Sequence, residues 1–123
     1  MKQFVLIFRQ PAQPLSAEQS KRRTEEVRAW VLKYGAEGHK LDPRVLSDEG
    51  EIAAEGSENR HQTLSDRKVI ALNFIEAPDL DEAMRIVKTH PGLRYGVSIE
   101  VREWTSPLNG ARVAARPVAT KNQ

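Results

Sequence analysis

Hydrophobic and polar positions along the chain fall into four strand-like and two helix-like segments. Gln3–Arg9 (QFVLIFR) reads as a strand with Phe4, Leu6 and Phe8 on one side and Val5 and Ile7 on the other. Both sides are apolar, which predicts burial on both. Pro11 and Pro14 end it. Ser16, with Gln19 three residues on, has the form of a capping box opening a helix over Ala17–Gly35. That helix carries the apolar stripe Val27, Trp30, Val31 and Tyr34, while the same face of its first half holds only small or polar groups such as Ser20 and Thr24. Glu18/Arg22, Lys21/Glu25 and Arg22/Glu26 are spaced to pair on the solvent side.

A short second strand is expected around Arg44–Ser47. The stretch from Asp48 to Lys68 is polar, with Ile52 and Leu64 as its large apolar residues, and is long for a plain connection. Val69–Ala77 (VIALNFIEA) is the clearest strand and is apolar on both sides. Asp79, with Glu82 in the reciprocal position, caps a second helix over Leu80–His90 that should pack through Leu80, Ala83, Met84 and Val87 before Pro91-Gly92 stops it. In Val97–Trp104, Val97, Ile99 and Val101 face inward and Ser98, Glu100, Arg102 and Trp104 face outward.

The order strand–helix–strand–strand–helix–strand predicts an α+β, ferredoxin-like βαββαβ sandwich: a four-stranded antiparallel sheet with two helices on one face. The two central strands are then the first and third, the ones apolar on both sides. Two helices cover one face only. The other would expose Val5, Ile7, Val69, Ala71 and Ile75, or their opposite-facing neighbours, several hundred Å² and more than a monomer usually shows. Covering about 500 Å² per subunit at about 25 cal/mol/Å² gives roughly 12 kcal/mol gross before association costs, so a homodimer is expected. The domain is read as residues 1–104, with 105–123 as a C-terminal tail, mobile or packed on a partner.

Composition narrows the function. Apolar residues make up 39% and charged residues 29% of 123 residues, the balance of one globular domain. There is no cysteine, which excludes disulfides and thiolate chemistry. No apolar run spans a bilayer and none has the form of a signal peptide, so the expectation is a cytoplasmic protein without a membrane role. The formal charge is +2, but the tail holds Arg112, Arg116 and Lys121 and no acid, which leaves 16 basic against 17 acidic residues in the body. Nucleic acid is therefore an unlikely partner.

Over Met1–Trp104 the chain resembles the YCII-related domain family, in its DGPF branch. The resemblance rests on MKQFVLIFR, on LSAEQ, on Trp30 in VRAWVLKYGAEG followed by KLDP, and on FIEAPDLDEAMRIVKTHP and IEVREW. It implies a dimeric α+β barrel with a cleft between the sheet and the first helix or a neighbouring loop. It also implies relatives that include small-molecule isomerases and a dehydrochlorinase-like enzyme, with regulatory roles for some members. Two departures stand out. Where the DGPF element would lie, Asn59–Gln62 reads NRHQ, and around Glu26–Val27 there is no counterpart of the helix His of the YCII branch.

Candidate chemistry is sparse. His61 with Asp66 could form a general base and its orienter, or be a solvated loop His. His39, three before Asp42, could reach the cleft mouth or be a surface His. His90 at the end of the second helix reads as structural, favoured there by the helix dipole. Trp30 and Tyr34 are core or an aromatic wall for a flat ligand. Arg9 could hold an anion or be a solvated strand end, and Glu100 and Arg102 could pair with neighbours at the sheet edge or line an inter-subunit cavity. No three ligands converge for a metal and no phosphate loop is present, so no cofactor is expected. Three readings follow: a small-molecule binding or sensing module, a proton-transfer enzyme (isomerase or lyase) with His61 as base, and an interaction protein using its basic tail.

Overall fold

The structure is a computed structural model that describes residues 1–51, 53, 55 and 67–107. Its elements are β1 (Lys2–Arg9), α1 (Ala17–Ala36), β2 (Arg44–Val45), β3 (Val69–Ala77), α2 (Leu80–Val87), a 3₁₀ turn (Pro91–Tyr95) and β4 (Ser98–Glu103). The sheet order is β2-β3-β1-β4, and every neighbouring pair is antiparallel. This is the expected ferredoxin-like α+β arrangement, with β1 and β3 central. His61, Asp66, Asn59–Gln62 and residues 108–123 lie outside the described residues.

Each helix starts where its cap requires. The Ser16 hydroxyl accepts from the Gln19 N–H while the Gln19 side chain accepts from the Ser16 N–H, closing the capping box. The Asp79 carboxylate accepts from the Glu82 N–H at 2.8 Å. The Glu82 side chain turns instead to Arg85.

Several expectations need correction. The second helix ends at Val87 rather than at His90. Pro91 disfavours helical backbone at the residue before it, and His90 is extended (φ −68°, ψ 130°). Leu80, expected to pack, is exposed, and Ile86 takes the core position. The second strand is only Arg44–Val45, and α1 runs one residue past Gly35. None of the three expected i,i+4 pairs on α1 closes; Glu26 instead accepts from Arg94 at 2.5 Å and from Tyr95 at 3.2 Å, tying α1 to the 3₁₀ turn.

The register of β3 also differs from expectation. Phe4 lies opposite Ile75, Leu6 opposite Asn73 and Phe8 opposite Ala71, so these residues share the helix-covered face. Val5 lies opposite Phe74 and Ile7 opposite Leu72, which puts Leu72 and Phe74 on the open face in place of Ala71 and Ile75, while a shift in register after Phe8 sets Val69 opposite Arg9. Trp104 extends β4 by donating to the Gln3 carbonyl, and its ring meets Phe74 edge-on at 4.9 Å.

The core lies between sheet and helices. Phe4, Leu6, Ile75 and Ile86 are its largest fully enclosed side chains. Trp30 and Tyr34 fasten α1 to the end of α2. The Trp30 Nε1–H donates to Thr89 Oγ1 at 2.9 Å, the Thr89 and Tyr34 hydroxyls are 3.2 Å apart, and Thr89 donates to the Ile86 carbonyl. No described helix is long and apolar enough to cross a membrane.

Candidate functional site

The stripe of α1 that faces the sheet loses its large apolar residues toward the N-terminus. Below Val27 it presents Arg23 and Thr24, which cannot fill the space between helix and sheet. The result is a cleft of about 370 Å³. Its apolar lining includes Phe8, Val27, Ile70, Ala71 and Val97. One wall is the segment Pro43–Leu46, and two buried polar residues, Asn73 and His90, also line it.

Asn73 interrupts the apolar run Val69–Ile75 of β3, and its amide is fixed. Oδ1 accepts from the Asp42 N–H at 2.9 Å and from the Phe74 N–H at 2.8 Å. These bonds pin the chain before β2 against the sheet edge and build that wall of the cleft. They leave the Nδ2 hydrogens as the side chain's unused hydrogen-bonding capacity.

His90 is held more tightly still. Its ring centroid lies 5.0 Å from that of Phe8 and 4.7 Å from that of Trp30. Its Nδ1 accepts from the Gly92 N–H at 2.9 Å, capping the 3₁₀ turn. A Cβ on residue 92 would sit 3.1 Å from that Nδ1, so glycine lets the backbone come this close. Burial lowers the imidazole pKa to about 4. The ring is therefore neutral at pH 7, and because Nδ1 is an acceptor the proton is on Nε2. Neither His90 Nε2 nor Asn73 Nδ2 has a partner among the described residues, and neither is sealed from solvent; Arg9 Nε is the one enclosed, unpartnered side-chain atom there.

A neutral imidazole in this tautomer has Nε2–H as its unused hydrogen-bonding group. It cannot act as a base through Nε2, which already carries a proton. Double protonation would set Nδ1–H against the Gly92 N–H.

The residues singled out from sequence fall elsewhere. Trp30 and Tyr34 are buried in the core. His39 contacts the Glu76 carbonyl through Nδ1 at 3.0 Å, along the sheet edge, and the Tyr34 ring at 5.9 Å. Arg9, Glu100 and Arg102 form a cluster on the open face: Arg9 Nη1 meets Glu100 Oε1 at 2.8 Å, and Arg102 Nε meets Glu100 Oε2 at 2.6 Å. Hydrogen bonds from Arg102 and then Arg9 hold the Glu100 carboxyl below its ordinary pKa. None of these six side chains lines the cleft. No group of three or more His, Cys, Asp or Glu able to hold a metal occurs among the described residues.

Sequence reasoning passed over Asn73 and assigned His90 a purely structural part. A polar residue interrupting an otherwise apolar central strand was the available signal for Asn73. For His90 the signal was weaker: a His directly before Pro-Gly, where the chain must leave the helix.

No protein-family model matches the chain. No curated protein matches it either. Among solved structures it is similar to 5-chloro-2-hydroxyhydroquinone dehydrochlorinase (TftG) from Burkholderia phenoliruptrix AC1100, in complex with 2,5-dihydroxybenzoquinone, at 17% sequence identity and a TM-score of 0.51. The match covers 86% of this chain and 97% of that one, so the two share the fold along nearly their whole lengths.

Proposed function

We propose that this chain is a small-molecule binding or sensing module of the YCII-related type, working as a homodimer, with its ligand in the cleft between the sheet and α1. The observation that carries the reading is a cleft of about 370 Å³ whose lining is mostly apolar and includes two buried residues with fixed, unpartnered donors, Asn73 Nδ2 and His90 Nε2–H. Small-molecule sites combine mostly apolar walls with a few convergent polar groups in this way. The locked tautomer of His90 favours binding over proton abstraction at that residue.

The dimer reading is supported by the open face of the sheet. On it Ile7, Leu72 and Phe74 are half-buried around the buried Val5, and Trp104 beside them is 51% exposed. A second copy of the same face would cover this patch around a twofold axis and enclose the Arg9–Glu100–Arg102 cluster.

A thermal-shift screen of small planar compounds tests the binding reading. Compounds that raise the melting temperature of the wild type should fail to do so for Thr24→Tyr, whose ring would occupy the cleft. Equal stabilisation of both proteins would place the site elsewhere.

A second reading, a proton-transfer enzyme, is favoured by the fold likeness to a dehydrochlorinase. Here the neutral His90 Nε2–H would polarise a carbonyl oxygen and the base would come from another residue, with His61 as the sequence candidate and Asp66 as its orienter. Loss of turnover in His61→Ala with binding intact would support this reading; turnover unchanged by that substitution would remove His61 from it.

A further inference from the structure

The polar groups of the cleft also limit what can occupy it, and this step rests on the binding reading above. Asn73 offers Nδ2 hydrogens because its oxygen is spent on Asp42 and Phe74. His90 offers a proton on Nε2 because Nδ1 is spent on Gly92. Thr24 donates its hydroxyl proton to the Ser20 carbonyl at 3.0 Å and keeps only accepting capacity. The charged groups complete the account. Arg44 is matched by Asp42 at 3.1 Å, and Asp48 by Lys68 at 3.6 Å. Arg23 is half-buried on the cleft wall and has no ion pair or hydrogen bond among the described residues. Among its described residues the cleft therefore presents an excess of donors and one guanidinium, that of Arg23, with no carboxylate partner.

We infer that the ligand is a planar, acceptor-rich organic anion, an aromatic carboxylate or phenolate of one or two rings. Its ring lies against Phe8, Val27 and Val97. Its anionic oxygens pair with the Arg23 guanidinium, and a second oxygen accepts from Asn73 Nδ2 and His90 Nε2–H. A ligand with donors at those places would leave buried donors facing one another, and a cation would meet Arg23.

Three probes of one shape and different charge test this: 1-hydroxy-2-naphthoate, its neutral amide, and 1-hydroxy-2-naphthamidine. Each is titrated into the isotope-labelled full chain while the Asn73 side-chain amide and the His90 ring are followed by NMR. The acid should bind about tenfold or more tightly than the amide and weaken with salt, and the amidine should bind weakest. Arg23→Gln should bring acid and amide to within about twofold of each other, and Arg23→Lys should restore part of the gap. If the amide or amidine binds at those resonances as tightly as the acid, or Arg23→Gln leaves the preference intact, the anion assignment fails while the cleft stands as a binding site. If all three leave those resonances unmoved, the binding reading falls with it.

Discussion

Gly92 donates its backbone N–H to Nδ1 of His90 at 2.9 Å, and this single bond decides what the imidazole can do. It caps the 3₁₀ turn, fixes the tautomer and turns a residue known for acid–base work into a neutral donor at the floor of a cleft. Fold and chemistry meet at that bond, so substitutions there should separate them.

His90→Ala removes the cap acceptor and empties a packed site between Phe8 and Trp30. The Gly92 N–H is left buried without a partner. The loss should be about 2–4 kcal/mol in urea unfolding. His90→Asn keeps an oxygen able to accept from Gly92, so it should recover a good part of that loss while lacking the imidazole Nε2–H, and ligand binding should stay impaired.

Stability should fall in mild acid. With a native pKa of about 4 and an unfolded value near 6.5, both forms of His90 are neutral above pH 6.5. Below it the unfolded chain binds a proton that the native state does not, so stability is lost as pH falls from 6.5 toward 4. The His90 share between pH 7 and pH 5 is about 2 kcal/mol, read as the difference between wild type and His90→Asn in urea unfolding at the two pH values.

Thr89→Val leaves the Trp30 Nε1–H buried without its acceptor and breaks the link to Tyr34. The cost should be about 1–3 kcal/mol. The same change loosens the wall behind His90, so Trp30 fluorescence should shift toward that of a more exposed indole.

Ile7→Glu places a charge at the middle of the open sheet face, beside Leu72 and Glu100. If that face pairs two copies, small-angle scattering should report a dimer for the wild type and a monomer for the variant, with circular dichroism confirming that the variant remains folded. A wild type that is monomeric at micromolar concentration would remove the dimer from the account.

Much of the fold was legible because several local signals agreed. Ser16/Gln19 and Asp79 marked both helix starts, and Val97–Trp104 alternated cleanly enough to identify its inward side. The pairing of β1 with β3 was not legible in the same way. Both strands are apolar on both sides, so periodicity does not say whether Phe4, Leu6 and Phe8 share a face with Ile75 or with Phe74. The site was harder again. It joins Arg23, Asn73 and His90 from a helix, a central strand and a turn, and no spacing in the chain brings those three together. Trp30 and Tyr34 drew attention as aromatic residues on one helical face, yet the cleft forms one to two turns earlier, where that face runs out of bulk.

The most direct measurement is the pair of ¹⁵N shifts of the His90 ring, followed by long-range ¹H–¹⁵N correlation at pH 6 with and without 1-hydroxy-2-naphthoate. The account predicts an unprotonated Nδ1 and a protonated Nε2 that do not change down to pH 5.5, with Nε2 moving saturably as the compound is added. An imidazolium at pH 6, a proton on Nδ1, or a ring indifferent to the compound would contradict it.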